Sequence, residues 1–372
     1  MKSIKSGMCL LDDIVGRKFN LHAILYPVQF SLILTKHCNA RCEMCNIWKL
    51  KTRDDLTVNE LKKLGKSKNL RNVMFLGISG GEPFIRKDLV EAVLALSKNM
   101  KLLKEIRFST NGSITEKIVA DIVILLKKVK CRIDVTISLD GIGKAHNEVR
   151  GFPGLYKKVM QTIDSLREIQ KREKRLDIGI RFTMLPSNYK ELMTLYRLSK
   201  RKDVGFTFKP VDVGGLFDNN ESKQEYTFTK NQQREILNAI REIIKTEKEE
   251  LKKLNGFSAV KKTANILFLK YMMKYVKDPA TPITSCYACF TSVFMEHNGD
   301  IHSCPILYRK VSSIRKESFD KIWQGKEMKD IRSFIKQEKC SCYTNCNLLP
   351  SIVLSGIPRI MYMITKAKLG KN

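Results

Sequence analysis

Six times between Phe30 and Pro210, a short apolar or β-branched run is followed by a stretch with helical periodicity. In the first run Phe30, Leu32 and Leu34 alternate with Ser31 and Ile33. The second covers 72–78 and the third 104–109. The fourth carries Ile133, Val135 and Ile137, and the fifth Ile178, Ile180, Phe182 and Met184. The sixth covers 205–209, and Pro210 stops it. Among the helical stretches, one is opened by Thr57 with Glu60 three residues on, a capping box. Others cover 88–98, 115–129, the residues after Gly154, and 187–199. This alternation predicts parallel strands joined by right-handed crossovers, an α/β class. Eight such units close a barrel; six predict a partial, TIM-like (βα)6 barrel, open on one side, with its chemistry at the C-terminal strand ends.

Composition narrows the class. A hydrophobic fraction of 43% can build a sizeable core, which excludes a wholly disordered chain. The formal net charge is +30, which points to an anionic partner without naming it. Eleven cysteines, an odd number in a chain of 372 residues, do not read as a secreted disulfide scaffold. Nine of them fall in three tight groups, as metal ligands do. No signal peptide is legible in the first twenty residues, so a reducing, cytoplasmic setting is expected. No apolar run is long enough to span a membrane.

After 210 the pattern changes. The stretch 212–226 is loop-like. Thr229 with Gln232 opens a Lys- and Glu-rich helix reaching about Asn255, and 266–276 is a shorter apolar-basic helix. Cysteines return beyond Pro279, and after Glu338 no acid remains. The expected organisation is an N-terminal extension (1–27), the barrel (28–215), a helical connector (216–278), a small cysteine-rich domain (279–349) and a basic, apolar tail (350–372).

The loop after the first strand reads Cys38-Asn-Ala-Arg-Cys42-Glu-Met-Cys45. Four thiolates usually hold an iron–sulfur cluster, so three leave one iron open to a small molecule. A structural zinc site is closed and four-coordinate, and no fourth ligand lies nearby; His37 adjoins Cys38 too closely to join it easily. Ser79-Gly80-Gly81-Glu82-Pro83 follows strand two, Ser109-Thr110-Asn111-Gly112 strand three, and Ser138-Leu139-Asp140-Gly141 strand four, with His146 and Arg150-Gly151 beyond. Glycines allow close backbone approach, a carboxylate can hold an ammonium group, and a guanidinium suits bidentate carboxylate binding.

These motifs, in this order at strand ends, resemble the radical S-adenosylmethionine (SAM) superfamily. The resemblance implies a [4Fe-4S] cluster on Cys38, Cys42 and Cys45 whose open iron binds SAM. It implies cofactor contacts at Gly80, Gly81, Glu82, Asn111, Ser138 (ribose) and Arg150 (carboxylate). Met44 stands where the family often has an aromatic residue. At the C-terminal end Cys286-x2-Cys289, Gly299 and Cys304 resemble the opening of the SPASM/Twitch extension, with a hairpin turn at Asn298-Gly299. Cys340, Cys342 and Cys346 complete six thiols, enough for one four-ligand cluster with two left over. One auxiliary [4Fe-4S] cluster is therefore expected, in the shorter Twitch-like form. Its favoured ligands are Cys286, Cys304, Cys342 and Cys346, with Cys289 and Cys340 as substitutes. His297 and His302 are expected to be solvated hairpin residues, Asp140 a turn residue, and Cys9 and Cys131 small apolar side chains.

The resemblance implies an enzyme that cleaves SAM to a 5′-deoxyadenosyl radical and abstracts hydrogen from a substrate carbon, for dehydrogenation or for peptide or small-molecule maturation. No catalytic side chain is assigned beyond the cluster. A reductant such as ferredoxin or flavodoxin is implied. The basic excess favours an anionic small molecule, a glycan precursor or a lipid headgroup. A peptide substrate is disfavoured, because about thirty residues before strand one are too few for a leader-binding domain. The tail adds contact with an anionic membrane surface as an expectation. Two rivals are a molybdopterin-type GTP cyclase and a zinc-ribbon nucleic-acid-binding protein; the second explains the charge but not the strand-end motifs, and nucleic acid is not the expected partner.

Overall fold

A computed structural model describes residues 26–50, 54–217, 226–280, 286–337 and 342–343. Cys9, Cys340, Cys346, the N-terminal extension and the basic tail lie outside the described residues.

Six parallel strands follow in chain order: β1 (Gln29–Thr35), β2 (Phe75–Gly80), β3 (Glu105–Thr110), β4 (Arg132–Ser138), β5 (Leu176–Met184) and β6 (Gly205–Pro210). The helices between them are α1 (Val58–Leu64), α2 (Leu89–Ser97), α3 (Thr115–Lys128), α4 (Lys144–Val149), α5 (Leu155–Arg172) and α6 (Glu191–Lys202). Strand alternation sorts the side chains. Phe30, Leu32, Ile106, Phe108, Val135, Ile137, Ile180 and Phe182 are buried with the apolar stripes of the helices, such as Val159, Ile163 and Leu166 of α5. The opposite face carries Ser79, Ser109, Thr136, Ser138, Arg181, Thr183, Thr207 and Lys209, all half-buried. One face is thus a dry core and the other a polar wall.

The capping boxes at Thr57–Glu60 and Thr229–Gln232 are both formed. Three boundaries differ from the sequence reading. The second strand begins at Phe75 because Asn69–Asn72 forms a 3-10 turn that buries Leu70. The sixth helix begins at Glu191 because Asn188 ties up the preceding turn, accepting from Leu185 N–H and donating to the carbonyls of Asp140 and Thr183. The connector consists of α7 (Lys230–Lys252) and a helix α8 (Gly256–Lys277), twice as long as the expected 266–276. Its first turns are stabilised by tertiary contacts: Thr263 is buried, and Lys262 bridges Glu247 and Glu250 of α7.

The cysteine-rich region adds β7 (Ser292–Met295), β8 (Asp300–His302), β9 (Lys310–Ser313), α9 (Phe319–Gln324) and α10 (Lys326–Gln337). β7 pairs in parallel with β1, Gln29 opposite Ser292 through Leu32 opposite Met295, and β8 and β9 continue antiparallel. The module therefore extends the barrel's own sheet on the side away from β6.

Side chains clasp it there. Asp320, in the first turn of α9, accepts from Ser67 Oγ (2.6 Å), Lys68 N (3.1 Å), Asn69 N (3.0 Å) and Asn69 Nδ2 (2.9 Å). Arg315 reaches Asp54 and Glu60. Asp320→Ala leaves the backbone donors of the 3-10 turn without their acceptor, and is expected to cost about 1–3 kcal/mol. Thermal unfolding checks this: a melting temperature equal to that of the unaltered protein would mean that the clasp contributes nothing.

Candidate iron–sulfur and cofactor site

The loop after β1 keeps the alternation of the strand. His37, Asn39, Arg41 and Glu43 are exposed, whereas Ala40, Cys42 and Met44 are buried and Cys38 and Cys45 half-buried. Its backbone is stitched to the end of α4: Arg41 N–H donates to Arg150 O and Glu43 N–H to Val149 O, both at 3.0 Å. Asn39 is gripped from the β3 end, donating to Ser113 Oγ (2.9 Å) and accepting from Asn111 Nδ2 (2.8 Å).

Beyond the close approach to a ligand that the sequence leads one to expect, the glycines let the backbone approach the cysteine loop. Gly81 N–H donates to Thr35 O and Glu82 N–H to His37 O, each at 2.8 Å. A Cβ on Gly81 would stand 2.2 Å from His37 O. Gly151, at φ +56°, is equally confined, with Arg41 O 2.3 Å from where its Cβ would be. Gly80 closes β2 beside Thr35.

Glu82 is fully buried and accepts from Phe84 N (3.1 Å), Thr110 Oγ1 (2.9 Å) and Asn111 N (2.6 Å). Burial pushes its carboxyl up to about 7 against the pull of these hydrogen bonds. Asn111 spends its side chain on Asn39 and on Ser113 N, so it braces the loop. Ser138 ends β4 on the polar wall, opposite Arg181 in register. Arg150 is buried, with Nε 2.5 Å from Asp140 Oδ2 and Nη1 donating to Cys42 Sγ at 3.7 Å. Burial alone would lower its affinity for a proton, but Asp140 and Cys42 outweigh that and hold it charged. Asp140 was expected to serve a turn. It does so through its N–H, which donates to His146 Nδ1 (3.0 Å), and its carboxylate also orients Arg150 and accepts from Thr183 N (2.8 Å).

The three thiols suit a metal cluster. Burial pushes Cys38 up to about 11 and Cys45 up to about 12, and raises Cys42 as well. Left alone they hold their protons; a bound cationic centre would displace them and turn each into a thiolate ligand. Among the described residues no three thiol, imidazole or carboxylate groups converge as a single metal ion would require.

At the second thiol set, Cys289 is fully buried at φ +62°, and both Cys304 and Cys286 act on its thiol. Leu307 N–H donates to Cys304 Sγ at 3.1 Å. Cys289, a substitute ligand in the sequence reading, lies beside Cys286 and Cys304. Cys342 lies near Tyr275 of α8. The two histidines are not solvated. His302 stacks on Tyr308 at 4.2 Å, and His297 is buried with Nδ1 3.8 Å from Glu296. Glu296 pairs with Lys36 at 3.1 Å and also takes the Tyr308 hydroxyl. Sequence reading missed this cluster. Its members come from the ends of β1 and β7 and from the turn after β8, and no local spacing announces their meeting.

Comparison with known proteins follows the same division. The family described as the radical SAM superfamily matches residues 32–199, and the SPASM iron–sulfur cluster-binding domain matches 286–347, which removes the ground for a zinc ribbon. Fe-coproporphyrin III synthase of Methanosarcina barkeri is 27% identical over 174 residues, 46% of this chain and 40% of that protein. Pre-heme d1 synthase of Dinoroseobacter shibae is 30% identical over 169 residues, 44% and 38% respectively. A probable GTP 3',8-cyclase of Methanocaldococcus jannaschii is 28% identical over 183 residues, 46% and 54%. The chain thus spans about two fifths of the length of the first two relatives. Among solved structures, anSMEcpe with bound AdoMet has a TM-score of 0.62 at 16% identity, covering 91% of this chain and 99% of that one. Streptococcus suis SuiB bound to S-adenosylmethionine has a TM-score of 0.58 at 17% identity, covering 90% and 74%. The fold, the strand-end site and the two matched domains agree: the chain belongs to the radical SAM superfamily, with a [4Fe-4S] cluster and SAM as cofactors and a SPASM domain for auxiliary iron–sulfur binding.

Proposed function

We propose that this chain cleaves SAM reductively and oxidises or cross-links a polar, anionic substrate. The observation that carries the reading is the placement of two thiol sets on one sheet. The cysteine loop leaves β1, and Cys286 and Cys289 lead into β7, which is hydrogen-bonded to β1. When bound, the cluster and SAM supply a carbon radical that takes a hydrogen atom from the substrate, and the auxiliary cluster supplies an acceptor for the remaining electron.

The chain's residues position and neutralise. Cys38, Cys42 and Cys45 hold the first cluster. Arg150 favours the thiolate at Cys42 and is available to a cofactor carboxylate. Glu82 and Asn111 keep the turns rigid, Gly80 and Gly81 border the methionyl end, and Ser138 offers a hydroxyl to the ribose. For the auxiliary cluster, Cys286, Cys289 and Cys304 are the described candidates, with Cys342 and the sequence neighbours Cys340 and Cys346 as the remaining thiols. We also read the domain boundaries set out above as the working division of the chain.

The polar wall supports an anionic substrate. Hydroxyls at Ser109, Thr136, Ser138, Thr183 and Thr207 share it with Arg181, which donates to Ser109 Oγ at 3.1 Å, and with Lys209, whose ammonium is paired with Asp212. Coproporphyrin and GTP, named in two relatives, are polyanions. A peptide is the second reading, favoured by the likeness of 86% of this chain to SuiB bound to its precursor peptide, with a TM-score of 0.57. Among the described residues no helix is long and apolar enough to cross a membrane.

The test is anaerobic reconstitution followed by turnover with candidate tetrapyrroles, nucleotides and peptides deuterated at each carbon. Deuterium is expected in 5′-deoxyadenosine, with one SAM consumed per product. Regeneration of SAM at every turnover, with a product isomeric with its substrate, would defeat the oxidative reading.

A further inference from the structure

We propose that Arg332 sets the reduction potential of the auxiliary cluster, raising it so that the cluster accepts the electron left on the substrate. The inference deepens the oxidative reading above and rests on it.

Arg332 lies on α10 with only 1% of its surface exposed. Taking a guanidinium out of water is costly. Two contacts hold it there. Its Nε donates to the carbonyl of Cys289 at 2.7 Å, and its guanidinium carbon stands 4.4 Å from the ring centroid of the buried Trp323. Both contacts leave the full charge in place. The aromatic stack continues through Phe319 to Phe30 of β1, with ring centroids 6.0 Å apart at each step, so the sheet itself fixes where the charge sits.

The residue it holds is Cys289. That residue is fully buried and has a left-handed backbone, φ +62°, which residues other than glycine adopt only under strain. Its N–H donates to Ser292 O at 3.1 Å, Arg332 holds its carbonyl, and its thiol donates to Ser303 O at 3.2 Å, one residue before Cys304. Burial raises the Cys289 thiol, and the charge of Arg332 works against that, which favours the thiolate that a cluster needs.

Thiolate ligands give an iron–sulfur cluster a net negative charge, and an added electron makes it more negative. A fixed cation in a low-dielectric setting therefore favours the reduced form and raises the potential. The neighbouring sequence has the same sign: between Ile331 and Cys346 the one acid is Glu338, against Arg332, Lys336 and Lys339. In the step concerned the substrate radical loses one electron, the cluster gains one, and the proton released with it passes to solvent. No bond to the cluster forms.

The experiment is a redox titration of the reconstituted holoenzyme followed by electron paramagnetic resonance, with the first cluster as internal reference. Arg332→Gln keeps a hydrogen-bond donor for Cys289 O and loses the charge; Arg332→Lys keeps the charge and loses the planar fork. The auxiliary potential is expected to fall in Arg332→Gln by about 59 mV or more, a tenfold change in a one-electron equilibrium. The first cluster is expected to keep its potential, and Arg332→Lys to shift the auxiliary one by less than half as much. A loaded Arg332→Gln variant with an unshifted potential overturns the proposal. So does an equal shift in the two variants, which would assign the effect to geometry and not to charge. If Arg332→Gln does not retain its auxiliary iron, Arg332→Lys decides: a loaded cluster within half of that shift upholds the proposal, and any other result there overturns it. Regeneration of SAM at every turnover of the unaltered enzyme would instead defeat the oxidative reading, while the potentials would still decide what Arg332 does to the cluster.

Discussion

Replacement of Cys38, Cys42 and Cys45 together by alanine is expected to abolish SAM cleavage and to remove one cluster's worth of iron and sulfide per chain. The auxiliary iron is expected to stay, because its thiols belong to a separate set beside the β7–β9 hairpin and depend on the first loop for no ligand. The chain itself should remain folded, since the large core lies on the other side of the sheet. Iron and sulfide analysis, electron paramagnetic resonance of the reduced protein and 5′-deoxyadenosine production measure the three parts separately. Cleavage that survives in the triple variant after anaerobic reconstitution would show that the loop is not the site.

A single methyl group is expected to do nearly as much damage. Gly81→Ala places a Cβ 2.2 Å from His37 O, a backbone atom that cannot turn aside as a side chain can. The loop carrying Cys38 must move, and overpacking of this kind costs about 1–3 kcal/mol. We expect a folded protein that fails to load its first cluster, with SAM cleavage down by about tenfold or more, the factor that 1.4 kcal/mol represents. Gly154→Ala is the control. Gly154 has a positive φ, +77°, which Gly81 does not, but nothing lies within 4 Å of the added methyl, so only local backbone strain of about 1–2 kcal/mol is introduced. Normal cluster content and cleavage in Gly81→Ala would mean that the close crossing of β2 and the cysteine loop is dispensable.

The parts of this fold that could be read from sequence are those governed by local rules. Alternation in 133–137 or 178–184 reflects one buried face, and Thr57–Glu60 and Thr229–Gln232 cap helices with their own neighbours. The strand-end motifs were legible for the same reason: each is a short turn whose place is fixed by the strand before it. Where distant segments decide, reading failed. The first half of α8 carries Lys261, Lys262 and Thr263, which look like solvent residues until Glu247 and Glu250 meet Lys262 from α7. His297 and His302 look like hairpin polars until β1 and Tyr308 cover them. Spacing places Cys289 behind Cys342 among the auxiliary thiols, and it is silent about the burial that sets Cys289 beside Cys304.

The pairing of β7 with β1 also bears on the order in which the protein can be assembled. β1 lies near the start of the chain and its partner near the end, Gln29 opposite Ser292, so this ladder closes one of the longest loops the sequence allows. Contacts of such separation form slowly, and a domain emerging from the ribosome folds its early part first. For most of synthesis β1 is therefore an unguarded edge strand, with unpaired backbone groups of the kind that recruit other chains. Of the six parallel strands, the one leading into the cysteine loop waits longest for its second neighbour. A truncated chain ending before β7 would keep all three loop cysteines yet expose that edge, and its tendency should be to aggregate rather than to remain a smaller working enzyme.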